Sequence, residues 1–405
     1  MDIQHGAGRP PMTNPPISPA IGLVSLFLTF LRFGFLAFGG PVAQIAMLRQ
    51  ALVEEGRWID RARFNRLLAV LQVLPGPEAH ELCVHLGIVA RGRVGGVLAG
   101  LGFMLPGFVL MLGAGWLYVS VIDGQAGWAG PLLGVQIVVL AVILRAVIRI
   151  GEHILEDRWL WGIAIASLGA TVLGLPFWLS LAAGGGVYAL ADRRALAVVA
   201  LAVAIGVVLA GHGQSPPAIA TLAGATVPVT TPALFLAGLK GGLLTFGGAY
   251  TAIPYVRTDT VGRGWLGDAT FLDGIALAGV LPAPLVIFAT FVGYVAGGVA
   301  GALAITAGMF LPAFAFSLVF FERLERIVAH PSLHRVLAGV AAAVVGIIAA
   351  TFLQLAQAAG ARVSTPSLAI ILFLIALAAA WRLKGAWVTP AILATGALFG
   401  AVATI

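Results

Sequence analysis

The chain has 405 residues, of which 60% are hydrophobic and only 10% are charged. A soluble domain carries about a quarter charged residues, so this composition excludes a soluble protein and indicates one whose surface faces lipid. Basic residues outnumber acidic ones by 23 to 16, which in a membrane protein indicates cytoplasmic loops rather than a nucleic-acid partner.

The first half of the chain is predicted to be a tail followed by a membrane repeat. Residues 1–17 are rich in proline and lack a cleavable signal pattern, so we expect a disordered cytoplasmic tail. The first membrane repeat is predicted at 18–191. Several of its early apolar segments have only about 13 to 15 residues, whereas a span needs roughly 20. We therefore expect half-length helices, paired into hairpins and broken at Gly/Pro pairs.

The second half is predicted to restart the same pattern. Residues 192–231 are expected to supply one further transmembrane helix and an uncharged external linker, and residues 232–405 a second membrane repeat. The predicted fold is an all-α polytopic membrane protein with two inverted-topology repeats and broken or re-entrant helices near the membrane midplane.

A pattern of glycine, proline and tryptophan carries the evidence for duplication. The first copy comprises Phe38-Gly39-Gly40-Pro41, Trp58, Leu74-Pro75-Gly76-Pro77 and Leu105-Pro106, and the second comprises Phe246-Gly247-Gly248-Ala249, Trp265, Leu281-Pro282-Ala283-Pro284 and Leu311-Pro312. The second copy follows the first by 206 to 208 residues, so two single-residue gaps align them. Helix-breaking pairs at matched places in two membrane repeats are typical of a transport site.

The positions of lysine and arginine predict the orientation of the two repeats. Seventeen basic residues fall in segments that we assign to the cytoplasm, namely the tail, 49–66, 91–93, 149–158, 192–194, 322–335 and 382–384. Three fall on the opposite side: Arg257, Arg263 and Arg362. Equivalent loops of the two halves carry opposite charge character, which predicts inverted repeats with the N-terminus in the cytoplasm.

Three basic residues remain within apolar segments. Arg32 and Lys240 each lie six residues before the phenylalanine of a Phe-Gly-Gly motif, whereas Arg145 has no basic counterpart. An ionisable group at membrane depth costs about 2.5–3.5 kcal/mol or more, so a functional role is favoured for the matched pair. The alternative is snorkelling to the interface, which we favour for Arg145.

The Gly/Pro motifs can end one helix and begin another, which would direct free backbone N–H groups and a positive dipole end into the membrane. Together with the matched cations, these starts predict a midplane anion site. The predicted substrate-binding residues are Arg32, Gly39, Gly40, Pro41, Gly76, Pro77, Lys240, Gly247, Gly248, Pro282 and Pro284. Alternatively, the glycines serve close helix packing and the prolines only kink helices.

Ionisable residues follow the second break of the first half. Glu78 is predicted either to cap its helix or to act as a gating or proton-responsive group. Glu81 and His85 are four residues apart on one face, a spacing that allows them to pair across one helical turn. We find no set of ligands with metal-site spacing and no catalytic grouping, so no metal, no cofactor and no enzymatic activity are predicted.

The motifs resemble those of the chromate ion transporter (CHR) family in its long, two-domain form. The resemblance rests on FGGP, the tryptophan that follows it, LPGPEA and the stretch Leu86–Gly107, and it covers about 18–404. It implies export of chromate, with sulfate as a look-alike anion, across the bacterial inner membrane. The second half departs from the family pattern, because LPAP stands where LPGP is more usual.

Two other functions stay open at this point. One is import of sulfate or another small oxyanion, and the other is a membrane-embedded enzyme or structural subunit. The expected partners are a chromate or sulfate oxyanion and the lipid bilayer, with a homodimer as an alternative to a monomer.

Overall fold

The computed structural model describes residues 21–38, 40–71, 74–191, 228–246, 248–320, 331–383, 385 and 387–403. The predicted tail and the predicted extra helix at 194–211 lie outside these residues. Every regular element in the described ranges is helical.

Seven α-helices form the described part of the first half: α1 (Leu23–Phe35), α2 (Gly40–Arg49), α3 (Arg61–Leu71), α4 (Glu78–Leu117), α5 (Ala129–Ile154), α6 (Arg158–Val172) and α7 (Phe177–Ala189). Seven more form that of the second half: α8 (Thr231–Leu243), α9 (Ile253–Thr260), α10 (Asp268–Val280), α11 (Phe288–Ala315), α12 (Pro331–Gly360), α13 (Pro366–Arg382) and α14 (Val388–Val402). Short 3₁₀ turns at Ala249–Ala252 and Leu285–Ile287 precede α9 and α11.

The helices have the length and surface of a membrane protein. In the part of the chain that the structure describes, four helical stretches are long and apolar enough to cross a bilayer: Glu78–Ile122, Ala129–Ile154, Leu285–Val319 and Arg335–Gly360. Large apolar side chains such as Trp161, Ile165 and Leu374 are exposed on the outside. Exposed apolar surface of this extent is explained by contact with lipid. The predicted class, an all-α polytopic membrane protein, is confirmed.

Helices α4 and α11 each reverse direction at one point. The backbone leaves the helical region at Arg91 (φ −146°, ψ 30°) and Gly92 (φ 64°, ψ −161°). A residue without a Cβ adopts the positive φ of Gly92 at little cost. Gly87 packs against the backbone of Gly95, whereas a straight helix would separate residues eight apart by about 12 Å. Helix α4 is therefore a hairpin whose arms are residues 78–90 and 93–117.

Helix α11 repeats this hairpin at the matched position. Gly297 (φ −146°, ψ 22°) and Gly298 (φ 60°, ψ −154°) have nearly the backbone angles of Arg91 and Gly92. Gly293 packs against Gly301, just as Gly87 does against Gly95. Each hairpin therefore has a short arm and a long arm that divide at these residues.

The short helices α1 and α8 pack on the long arms of these hairpins through matched glycines. Gly34 of α1 contacts the backbone of Phe103 and the ring of Pro106, and Gly242 of α8 makes the same contacts with Met309 and Pro312. A side chain at either glycine would collide with the facing backbone, so only glycine permits this close approach.

Helices of the two halves also pack across one another. Helix α5 of the first half packs against α13 and α14, and α12 of the second half packs against α6 and α7. Glycines lie at the crossings, where Gly134 meets Gly396 and Gly184 meets Gly339. Small residues allow such close contact in lipid, where dispersion replaces the hydrophobic effect as the attraction between helices. The two halves are interlocked.

Candidate anion site at the helix breaks

The second break of the first half touches the first break of the second half. The backbone N–H of Gly76 donates a hydrogen bond of 2.8 Å to the carbonyl of Thr245. Gly76 lies in the LPGP break (residues 74–77), and Thr245 directly precedes the second FGG break (residues 246–248). This contact joins two helix starts that are 169 residues apart in the chain.

The other two breaks are joined through the side chain of Gln44 on α2. Its Nε2 donates to the carbonyl of Ala37 at 2.8 Å and to the carbonyl of Ala283 at 3.1 Å. Ala37 precedes the first FGG break (residues 38–40), and Ala283 lies in the LPAP break (residues 281–284). Each FGG break therefore meets the proline break of the opposite half. The side chain that makes the link is 1% exposed.

The predicted break residues begin helices, and the two halves differ in how they do so. Helix α2 begins at Gly40, with Pro41 in its first turn, and Pro77 is the N-cap of α4. In the second half, Gly248 and Pro284 each precede a 3₁₀ turn. Pro282 is buried in the LPAP break, whereas Gly39 and Gly247 lie outside the described residues.

A backbone difference at one glycine explains part of this asymmetry. Gly76 has a φ of 149°, and its counterpart Ala283 is not among the described residues with positive φ. An L-residue is strained at positive φ, so the LPAP break cannot adopt the LPGP geometry cheaply.

The two matched cations share a backbone position but have different surroundings. Arg32 and Lys240 each lie in the last turn of a 13-residue helix. Arg32 is exposed, and no carboxylate of the described chain forms an ion pair with it. The Nζ of Lys240 lies 2.8 Å from Oδ2 of Asp259 and 4.4 Å from the centre of the Phe177 ring.

Asp259 is a buried acid that the sequence interpretation missed. It is 7% exposed and also lies 3.4 Å from Arg263. The repeat offset of 207 to 208 residues matches it to Ala51 or Leu52, which carry no charge. An isolated acid within the apolar segment 249–261 was the available signal. Lys240 therefore has an anionic partner within the protein, whereas Arg32 forms no ion pair with a described residue.

The short arm of α4 buries the ionisable cluster that follows the LPGP break. Glu81 is fully buried, and neither of its carboxylate oxygens has a hydrogen-bond partner in the described chain. The hydrogen bond to His85 that the helical spacing allows is therefore not made. The carboxyl group lies against Gly76 instead, where an added Cβ would meet Oε1. The ring of His80 packs edge-on against Phe310 and Phe314 of α11, with centroid distances of 4.9 and 4.8 Å.

A second buried polar network, also missed from sequence, connects the halves away from the breaks. Asp273 of α10 accepts hydrogen bonds from the Tyr118 hydroxyl at 2.9 Å and from Gln136 Nε2 at 2.8 Å. The amide oxygen of Gln136 accepts from Arg362 at 2.8 Å. Among the described residues no group of three or more His, Cys, Asp or Glu side chains could hold a metal ion.

The family is decided by comparison with known proteins. A family model described as chromate transporter matches residues 24–229 and again residues 232–401. The chain belongs to the chromate transporter family. This membership confirms the resemblance and places the chain among transport proteins rather than enzymes.

Relatives within the chromate transporter family cover the chain almost completely. A chromate transport protein of Pseudomonas aeruginosa is 56% identical over 92% of this chain and 91% of its own length. One of Cupriavidus metallidurans is 30% identical over 95% of this chain and 94% of its own length. An uncharacterized transporter of Bacillus subtilis is 33% identical over only 40% of this chain but 86% of its own length. No solved structure matches.

Proposed function

We propose that this chain is a secondary transporter that exports chromate from the bacterial cytoplasm, with sulfate as a competing oxyanion. The observation that carries the proposal is the crosswise contact of the four helix breaks in a member of the chromate transporter family. Breaks that meet inside a membrane protein bring helix N-termini together, and such N-termini bind anions through free N–H groups.

The proposed topology is two inverted repeats, at 18–191 and 232–405, in the inner membrane with the N-terminus in the cytoplasm. Matched hairpins at Gly92 and Gly298 and matched glycine contacts support the duplication. The separate family matches to the two halves support it as well, as does a relative of about half the length. The inversion rests on the distribution of Lys and Arg.

We propose alternating access around the breaks. In the proposal, the anion binds between the breaks, with Arg32 as the unpaired cation and Lys240 as a cation that the anion shares with Asp259. Rocking of one half against the other breaks and remakes the contacts of Gly76 with Thr245 and of Gln44 with Ala283. In the proposal these two hydrogen bonds open while the glycine-lined helix crossings stay packed.

The membrane potential supplies the driving force for export. Moving one charge across 100 mV is worth about 2.3 kcal/mol, so a dianion gains about 4.6 kcal/mol when it leaves a negative interior. This free energy corresponds to a chromate concentration ratio across the membrane of about three orders of magnitude. Export therefore needs no nucleotide hydrolysis.

The test is chromate flux in proteoliposomes under a clamped potential. We expect flux from the unaltered protein in the direction set by the potential, and a loss of about tenfold to a hundredfold in an Arg32→Gln, Lys240→Gln double variant, because charge-assisted hydrogen bonds to the anion are lost. The control is Arg158→Gln, which removes an exposed cation at the start of α6.

Two outcomes would contradict the proposal. Normal flux from the double variant would mean that the anion does not bind at the breaks. Sulfate flux without chromate flux, or uptake that the outward potential cannot drive, would favour the oxyanion importer instead.

A further inference from the structure

The carboxyl group of Glu81 has no apparent structural role. It is fully buried on the short arm of α4, and neither oxygen accepts or donates a hydrogen bond within the described chain. A buried ionised carboxylate without a partner is so costly that the group binds a proton instead. The side chain lies against Gly76, whose N–H makes the contact with the second FGG break.

The charges around Glu81 do not provide a counter-ion. Glu78, one helical turn earlier, is a like-charged neighbour. On the arm of α11 that packs against this helix, the facing groups are the rings of Phe310 and Phe314, and Ser317 follows in the adjoining turn. The ionisable residues on the short arm and on the segments packed against it or against α4 are Glu78, His80, Cys83, His85, Arg91, Arg93, Tyr118, Arg32, Arg49, Arg61, Arg63, Arg66, Asp268, Asp273 and Tyr294. No ion pair joins Glu81 to any described side chain among them.

We propose that Glu81 is a proton-binding site whose occupancy is coupled to the anion, a step that rests on the proposed function above. An ionised Glu81 and a dianion at the adjoining break would repel each other strongly in a medium of low dielectric constant. The dianion therefore binds only while Glu81 is a neutral acid, and where alkaline solution has removed that proton from the unbound protein, binding of the anion takes one up. Release of the anion outside allows the proton to leave as well, so each cycle moves one net negative charge and the membrane potential supplies half of the free energy given above for the bare dianion.

Glu78 offers the route by which that proton arrives. It begins the helix that carries Glu81, follows Pro77 directly, and is less buried than Glu81. A proton exchanged between water and Glu78 can pass over one helical turn to Glu81, either directly or through an intervening water. In this arrangement Glu81 stores the proton and Glu78 relays it.

The test measures protons taken up when chromate binds to the purified protein. Calorimetry at mildly alkaline pH, where chromate is already the dianion, is repeated in two buffers that differ in ionisation enthalpy. We expect uptake of about one proton per anion, so that the apparent affinity falls by up to about tenfold per unit rise in pH. The Glu81→Gln variant should bind chromate without proton uptake and with an affinity that no longer depends on pH. The control Glu152→Gln removes an exposed acid and should behave as the unaltered protein does.

The outcomes separate the two proposals. If the unaltered protein does not bind chromate, the proposed function fails. If it binds chromate with no proton uptake, or if Glu81→Gln retains the full uptake, the function stands and the role of Glu81 is overturned. If Glu81→Gln fails to fold, a Glu81→Asp variant replaces it in the test. The assignment is supported if this variant takes up the same number of protons over a shifted pH range, and it is contradicted if the pH range is unchanged. A Glu78→Gln variant should slow chromate-driven pH change in proteoliposomes while leaving the number of protons per anion unchanged.

Discussion

Gln44 shows how a single side chain can couple the two halves. Its amide hydrogens satisfy one carbonyl beside each of two breaks, and its own Oε1 has no partner in the described chain. A buried amide that lacks one of its partners is stabilised less than a fully bonded one, so it can exchange partners at lower cost. Gln44 is therefore suited to a contact that opens and closes during transport.

Replacing Gln44 by leucine tests this role. The change leaves the carbonyls of Ala37 and Ala283 unpaired, and each buried unsatisfied group costs about 1–3 kcal/mol. We expect a lower melting temperature in detergent and a slower chromate flux. Gln50→Leu is the matched control, because Gln50 is an exposed amide that bonds only locally to Glu55. Unchanged stability and flux in Gln44→Leu would show that the hydrogen bonds of Gln44 contribute to neither stability nor transport.

At the level of elements, α8 and α9 pack against each other as a hairpin, and α9 carries an acid, Asp259, that the matched part of the first half lacks. Asp259 neutralises Lys240, whereas the matched helix in the first half has no acid at that place. The Lys240 and Asp259 side chains are 29% and 10% exposed, so water screens their attraction only in part. An incoming anion has to compete with Asp259 for the ammonium group.

The Asp259→Asn variant should relieve that competition. We expect the KM for chromate to fall by about threefold to tenfold, since a partly exposed ion pair is worth roughly 1 kcal/mol. Initial flux rates over a range of chromate concentrations measure the effect, and Asp123→Asn, at an exposed acid, is the control. An unchanged or higher KM would mean that the Lys240–Asp259 pair only stabilises the hairpin.

The elements also show where prediction from sequence succeeds and fails. The short apolar segments predicted half-length helices paired into hairpins, because segment length is a local signal. The partner of Lys240 lies 19 residues away across a hairpin, and hydropathy does not give the register of two helices that face each other. The absence of a Glu81–His85 hydrogen bond has a related reason. Helical spacing shows which residues share a face, but not that Gly76 leaves room for the carboxyl group elsewhere.

On the scale of the whole molecule, the interlocking of the halves could not be predicted. Duplicated motifs indicate that two similar units exist, and charge patterns indicate their orientation. Neither indicates that α5 packs against α13 and α14 while α12 packs against α6 and α7. That exchange depends on glycine contacts between segments far apart in the chain, such as Gly134 with Gly396. It also limits the motion available, because rocking must occur at the breaks rather than at the crossings.

The inverted arrangement makes a prediction that the chain is well suited to test. The only cysteine, Cys83, is fully buried, so new cysteines can be labelled against a silent background. Arg93 and Val299 follow the matched hairpin turns and are both exposed. With inverted repeats, a cysteine at 93 should react with a membrane-impermeant maleimide only from the cytoplasmic side, and a cysteine at 299 only from the opposite side.

Intact cells and inverted membrane vesicles give the two faces, and the unaltered protein, which should remain unlabelled, is the control. Labelling of both cysteines from the same face would mean that the repeats are parallel. The breaks would then be related by an axis along the membrane normal, and the proposed rocking of two opposed halves about a midplane anion would lose its basis.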